Sequence, residues 1–216
     1  MWPVDIALFQ VLNATASTPA WVVAVARLAS AVLPGLLLGA LLLALVCGPH
    51  ALRRTVLQAL LSVAVAWCLV HLVRALLPFP RPAALGLGMQ WIEHGARPGF
   101  PSMHSATAFA LGGALLFRRA FFLAAGALLL AALIAWSRVC LGVHFPSDVL
   151  AGMLTGLLSA SAVAAVWGLL ERPRDTAQAP LTRLPWRSGR ICAMGDGLIP
   201  ANTVEPALPG DWCCPL

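Results

Sequence analysis

Three short stretches bring arginine, histidine, serine and a carboxylate together in a largely apolar chain. They read Arg74-Ala75-Leu76-Leu77-Pro78-Phe79-Pro80-Arg81-Pro82, Pro101-Ser102-Met103-His104, and Ser137-Arg138-Val139-Cys140-Leu141-Gly142-Val143-His144-Phe145-Pro146-Ser147-Asp148. Between residues 18 and 160 the acids are Glu93 and Asp148 alone, and no lysine occurs anywhere. Arginine presents a planar fork of donors that matches phosphate oxygens. Ser102, after Pro101, has the type of a helix N-cap, where free backbone N–H groups and the helix dipole favour an anion. Together the stretches make an oxyanion site. An imidazole kept neutral can accept a phosphoryl group, and a carboxylate on its other nitrogen fixes the tautomer and stabilises the developing cation. Asp148, four residues after His144, comes within reach if the chain turns helical after Pro146-Ser147. A second histidine, His104, is then the candidate to protonate the leaving oxygen. Hard cations need several carboxylates or carbonyls. The sequence offers no acidic cluster, so the chemistry is expected to run without metal and without cofactor.

The elements that position these residues are membrane helices. Hydrophobic residues make up 60% of the 216 and charged ones only 10%, against about 25% charged in soluble chains. Apolar runs of about 18 residues or more read as membrane spans, and such runs recur through the first 170 residues. The expected fold is all-α: a polytopic membrane helical bundle of about five spans, near 21–46, 55–77, 102–117, 120–136 and 147–170. Residues 4–16, apolar at helical spacing but short, are expected to form an interfacial helix; if they insert, the spans number six. The opening residues lack the basic segment of a cleavable signal peptide. The expected domains are a membrane-embedded domain carrying the oxyanion site over residues 1–170 and a disordered cytoplasmic tail over 171–216, proline-rich and without periodicity.

A net charge of +6 would suggest nucleic acid in a soluble protein. Here the arginines follow membrane topology, and no nucleic-acid partner is expected. With five spans, Arg53/Arg54, Arg118/Arg119 and Arg172/Arg174 share one face, the cytoplasmic one by the positive-inside bias. Arg74, Arg81, Arg97 and Arg138 lie on the other face, against that bias, and a ligand explains them better. Arg27 reads as snorkelling from the first span, with a distal phosphate as the second reading. His50 and His71 read as structural, and Trp21, Trp91 and Trp136 as interface anchors. His94 and Arg97 are open between substrate contact and loop polarity. The six cysteines imply neither a disulfide framework nor a metal site.

In sequence the three stretches resemble the type 2 phosphatidic acid phosphatase superfamily, whose motifs are Lys-x6-Arg-Pro, Pro-Ser-Gly-His and Ser-Arg-x5-His-x3-Asp. Here they stand as Arg74-x6-Arg81-Pro82, Pro101-Ser102-Met103-His104 and Ser137-Arg138-x5-His144-x3-Asp148, within a resemblance covering about residues 50–170. The resemblance implies His144 as the nucleophile that forms a phosphohistidine, Asp148 as its orienting partner and His104 as the acid to the leaving group. It implies Arg74, Arg81, Ser102 and Arg138 as holders of the phosphoryl oxygens, helped by the Met103 backbone N–H. Two positions depart: Arg74 stands for the usual lysine, and Met103 for a glycine whose place beside the phosphate a side chain must now share.

The third and fourth runs hold 16 and 17 residues, roughly 24–26 Å as helix, less than the ~30 Å hydrocarbon core. The motifs should therefore sit at or just below the outer headgroup level, which favours a lipid phosphate in the bilayer as partner. Compact size and a short outer loop resemble bacterial undecaprenyl-diphosphatases of the bacitracin-resistance type. That implies a multi-pass protein of the bacterial inner membrane, facing outward, with a polyprenyl diphosphate as substrate. Phosphatidylglycerophosphate, phosphatidate or a lipid A phosphate is the alternative substrate, and a non-catalytic anionic-lipid binder or transporter the alternative class. Oligomeric state is not legible.

Overall fold

The computed structural model describes residues 3–93 and 97–171. Within them the chain forms α1 (Pro3–Leu12), α2 (Ala20–Ala31), α3 (Leu33–Cys47), α4 (His50–Leu76), α5 (Met103–Phe117), α6 (Phe121–Cys140) and α7 (Pro146–Leu170), with a 3₁₀ turn at Pro82–Leu85. The fold class is all-α, as expected from the apolar runs. His94 and the expected tail from residue 172 onward lie outside the described residues.

Among the described residues, four stretches are long and apolar enough to cross a membrane: Ala20–Cys47, His50–Leu76, Phe121–Cys140 and Pro146–Leu170. The first bends at Val32, before Pro34, where α2 passes into α3. A proline in the first turn of α3 is tolerated there because its missing N–H has no partner to lose. The expected third span becomes α5, 15 residues long, about 22 Å at 1.5 Å per residue. It is shorter than a span needs to be because its surroundings are protein: nine of its residues, from Ser105 to Ala114, are buried. Helix α3 is the opposite case, with no buried residue.

Small residues bring α7 against α5. A Cβ on Gly152 would stand 2.5 Å from the Ser102 carbonyl oxygen, and one on Gly156 2.3 Å from that of Ala106. Close backbone approach through small residues is how membrane helices pack, since apolar burial gives little advantage against lipid. Hydrogen bonds complete the seam: Ser102 N–H donates to the Asp148 carbonyl at 2.9 Å, and Ser105 Oγ to that of Val149 at 2.8 Å. The two helices thus start side by side, and α4 and α6 end beside them. Helix starts offer N–H groups and helix ends offer carbonyls, so one end of the bundle collects two of each. The candidate site lies there.

Candidate active site

Arg138 lies in the last turn of α6, which ends in a Schellman arrangement. The Val143 N–H donates to the Arg138 carbonyl at 3.0 Å and the Gly142 N–H to that of Val139 at 3.0 Å. This closure needs a left-handed residue after the helix, and Gly142 supplies it at φ +75°. A Cβ there would also meet the Met89 carbonyl oxygen at 2.2 Å. The tight turn delivers His144 directly beside the end of α6. Ser137 and Arg138, just past the expected end of the span at residue 136, are helical, because α6 continues to Cys140.

Helix α7 then starts at Pro146 with Asp148 in its first turn. Asp148 Oδ2 accepts from the Phe145 N–H at 3.0 Å, as a third-position acid does when it reaches back to a helix start. The same oxygen lies 3.2 Å from His144 Nδ1. Both residues are buried, His144 at 1% exposure and Asp148 at 3%. With its Nδ1 proton on Asp148, the ring turns the Nε2 lone pair toward Arg81, whose Nη1 lies 3.4 Å away. Burial lowers the His144 pKa well below 6.5, and the charges of Arg81, Arg138, Arg74 and His104 lower it further. His144 is therefore held neutral at physiological pH.

Arg74 and Arg81 are anchored on backbone carbonyls, and Arg138 on a serine hydroxyl. Arg74, in the last turn of α4, donates through Nε and Nη2 to the Pro101 carbonyl at 3.2 and 2.8 Å. Arg81 donates to the carbonyls of Arg97 at 2.9 Å and Val143 at 3.3 Å. Its pKa is pulled down to about 10, by burial first and Arg74 second, with Asp148 opposing, so it stays charged at neutral pH. Arg138, 1% exposed, donates through Nη1 to Ser30 Oγ of α2. Gly99 keeps the covering loop close: a Cβ there would stand 3.0 Å from Arg81 Cγ and 3.2 Å from Asp148 Oδ2.

Ser102 caps α5 by position, yet its side chain makes no capping bond. Its Oγ is fully buried and without a hydrogen-bond partner among the described residues. The Met103 side chain packs against Ala66, Val70, Ala106 and Ala110. His104 lines a groove of about 250 Å³ with Met103, Thr107, Leu37, Leu41 and Leu60 among its walls. The structure thus brings His144, Asp148, Arg74, Arg81, Arg138, Ser102, Met103 and His104 to one end of the bundle. Arg97 lines an outward cavity of about 470 Å³ beside Arg81. Among the described residues no three His, Cys, Asp or Glu side chains gather as a metal-ligand set.

Residues read from the sequence in another role, or in none, surround this site. Trp91 is a buttress: its indole N–H donates to the Ala14 carbonyl at 2.8 Å and its backbone N–H to that of Leu141 at 3.1 Å. Arg27, expected to snorkel, donates to the Trp91 carbonyl at 3.0 Å. Asn13 Nδ2 donates to the carbonyls of Met89 and Cys140 at 3.0 and 3.1 Å. The polar type of Asn13 amid apolar neighbours was the available signal; its partner lies 127 residues away.

Comparison with known proteins fits this geometry. The description "PAP2 superfamily" matches residues 55–172. The chain is 31% identical over 166 residues to the Escherichia coli (strain K12) protein named "Putative undecaprenyl-diphosphatase YbjG", covering 76% of this chain and 82% of that one. In fold it is similar to the crystal structure of Aquifex aeolicus LpxE, with a TM-score of 0.64, 24% identity, and coverage of 76% of this chain and 96% of that one. It is also similar to a PAP2-type phosphatidylglycerolphosphate phosphatase from Bacillus subtilis, with a TM-score of 0.60, 22% identity, and coverage of 79% and 88%. The chain is a multi-pass membrane protein and belongs to the PAP2 superfamily of phosphatases.

Proposed function

We propose that the protein hydrolyses undecaprenyl diphosphate to undecaprenyl phosphate through a phosphohistidine on His144, at the outer face of a bacterial inner membrane. The observation that carries the chemistry is His144 itself: buried, bonded to Asp148 at Nδ1 and turned toward Arg81 at Nε2. In the first step Nε2 attacks the terminal phosphorus. The bond from that phosphorus to the bridging oxygen breaks, and His104 gives the departing lipid phosphate its proton. In the second step His104 takes a proton from water as the water oxygen attacks the phosphohistidine, and inorganic phosphate leaves. Arg74, Arg81 and Arg138 neutralise the phosphoryl oxygens, and the Met103 N–H and the unbonded Ser102 Oγ add donors. No metal enters either step.

Two features support a lipid substrate. The groove that His104 lines is walled by Leu37, Leu41, Leu60 and Leu111, so the leaving group departs toward apolar surface. The choice of polyprenyl diphosphate rests on the 31% identity to the Escherichia coli protein. The outward orientation rests on the arginines Arg53, Arg54, Arg118 and Arg119 gathered away from the site.

The test is phosphate release by the purified protein in detergent with chelator present. Undecaprenyl diphosphate, phosphatidylglycerophosphate, phosphatidate and a lipid A phosphate are compared. Undecaprenyl diphosphate is expected to give the highest kcat/KM; a faster rate on another lipid reassigns the substrate. No release from any of them refutes the enzyme and leaves a binder or transporter. His144→Ala is expected to lower kcat by ~10⁴-fold or more, as loss of a nucleophile does, and to leave no acid-labile phosphoenzyme.

A further inference from the structure

We propose that Asp5 of α1 is a positioning residue for the His144–Asp148 pair, acting by capping the start of α7 through Ser147. The inference rests on the phosphohistidine reading above. It begins from a deficiency in the sequence. Helix starts leave backbone N–H groups without partners, usually met by a Ser, Thr, Asp or Asn just before the helix. The residue in that position for α7 is Phe145, whose side chain accepts nothing. Pro146 has no N–H, so Ser147 carries the first unmet donor.

Asp5 meets it from 142 residues away. Its Oδ1 accepts from the Ser147 N–H at 2.9 Å, and its Oδ2 from the Ser147 hydroxyl at 2.6 Å. Asp5 is itself buried, at 8% exposure, where a carboxylate costs free energy unless its hydrogen bonds are made. The residue it grips adjoins Asp148, which uses one oxygen for both the Phe145 N–H and His144 Nδ1. A small rotation of this first turn would break one bond or the other.

Helix α1 is built to hold that grip. Phe9 is wholly buried and packs on Phe145 with ring centroids 5.3 Å apart. Just beyond the helix, Ala14 N–H donates to the Cys140 carbonyl at 2.9 Å, alongside the Asn13 bonds to Cys140 and Met89. The segment from Asp5 to Ala14 therefore fastens both ends of the turn that carries His144: Cys140 on one side, Phe145 and Ser147 on the other. Asp5 contacts Ser147 and not the reacting nitrogen.

The experiment uses full-length protein and the lipid phosphate that the wild type hydrolyses, with kcat expressed per folded molecule. Asp5→Ala is expected to lower kcat by about 10–100-fold, the scale of a misplacement near 1 Å, with KM changed less than about threefold. Asp5→Asn keeps an acceptor for the Ser147 N–H and offers a donor to its hydroxyl, and should recover most of the rate. Ser147→Ala removes only the hydroxyl bond and should lower kcat less than Asp5→Ala. Combining Asp5→Ala with Ser147→Ala should give no more than Asp5→Ala alone, since both act on one contact. A merely structural acid would lower the melting temperature and yield while kcat per folded molecule stayed at the wild-type value. That result, or additive losses in the double variant, overturns the positioning role. If Asp5→Ala yields no folded protein, Ser147→Ala decides: a kcat drop at constant KM supports the role and an unchanged kcat overturns it. Wild type that releases phosphate beside unaffected variants refutes Asp5 alone. Wild type that releases none from any lipid phosphate refutes the phosphatase reading, and the positioning role with it.

Discussion

The two ends of the bundle use arginine in opposite ways. At the site end, Arg74 and Arg81 spend their donors on the carbonyls of Pro101, Arg97 and Val143, and Arg138 on Ser30. The nearby acid, Asp148, is committed to His144 and Phe145. At the far end, Arg118 pairs with Glu171 at 3.3 Å, and Glu171 also accepts from the Trp167 indole at 2.7 Å. That carboxyl is held below the ordinary range by the indole bond first and by the arginines second. Carbonyl partners orient a guanidinium without cancelling its charge; a carboxylate partner cancels it. The site end thus keeps a preorganised positive field, the form electrostatic catalysis takes, and the phosphate of the proposed substrate would complete it. The far end keeps a solvated ion pair.

The strongest test of this contrast is Arg81→Ala. Removing one preorganised donor of an oxyanion site costs about 10²–10³ in kcat, and Arg81 is the guanidinium that faces His144 Nε2. The variant should also move the pH profile. In the proposed reaction His144 attacks as the neutral base, and its pKa lies below 6.5 through burial, with Arg81 the leading charge. The rate of the wild type therefore survives as pH falls below 6.5 and is lost only as pH passes the lower folded-state value. Without Arg81 the imidazole binds its proton more readily, so the acid limb of kcat/KM should move to higher pH. Taking the difference between the two proteins removes the substrate's own titration. An acid limb that stays in place would show that Arg81 does not act on His144.

A smaller effect is expected from Arg74→Lys. Both donors of the Arg74 fork meet the Pro101 carbonyl, and an ammonium keeps the charge but only one such bond. Losing a charged hydrogen bond of about 1.5–3 kcal/mol predicts a fall in kcat/KM of about 10–100-fold. A variant with wild-type kinetics would mean that charge alone suffices at this position, and that fixed orientation at the site end is not what distinguishes it.

What was legible in the sequence was local. The i, i+4 spacing of His144 and Asp148 meant contact once α7 began at Pro146, and the apolar runs fixed the all-α class. The grouping of Arg74, Arg81, His104 and Arg138 followed from counting spans. What was not legible depends on pairs far apart in the chain. Residues 4–16 read as an interfacial helix, and Val4, Leu8 and Val11 of α1 are exposed; what the pattern did not carry is Phe9, which packs on Phe145. Asp5, Ser30 and Asn13 carry no pattern of their own; each gains meaning from a partner 76 to 142 residues distant. Helix α5 was expected to span like the others, since its composition is apolar; only its burial among neighbours shows why 15 residues suffice. Periodicity reports that a face is apolar and does not report what covers it.

The smallest effect is expected at the far end, and it is the one that can break the comparison. Arg118→Ala removes a pair whose side chains are 25% and 39% exposed. Exposed ion pairs are screened by solvent and contribute little to stability, and the Trp167 bond to Glu171 remains in place. The variant should therefore keep kcat, KM and the acid limb within twofold of the wild type. Salt should change nothing that distinguishes the two. A loss of turnover comparable to that of Arg74→Lys would mean that charge at this end reaches the site through α5 and α7, which run from one end to the other. The field at His144 would then belong to the whole bundle rather than to the carbonyl-anchored arginines beside it.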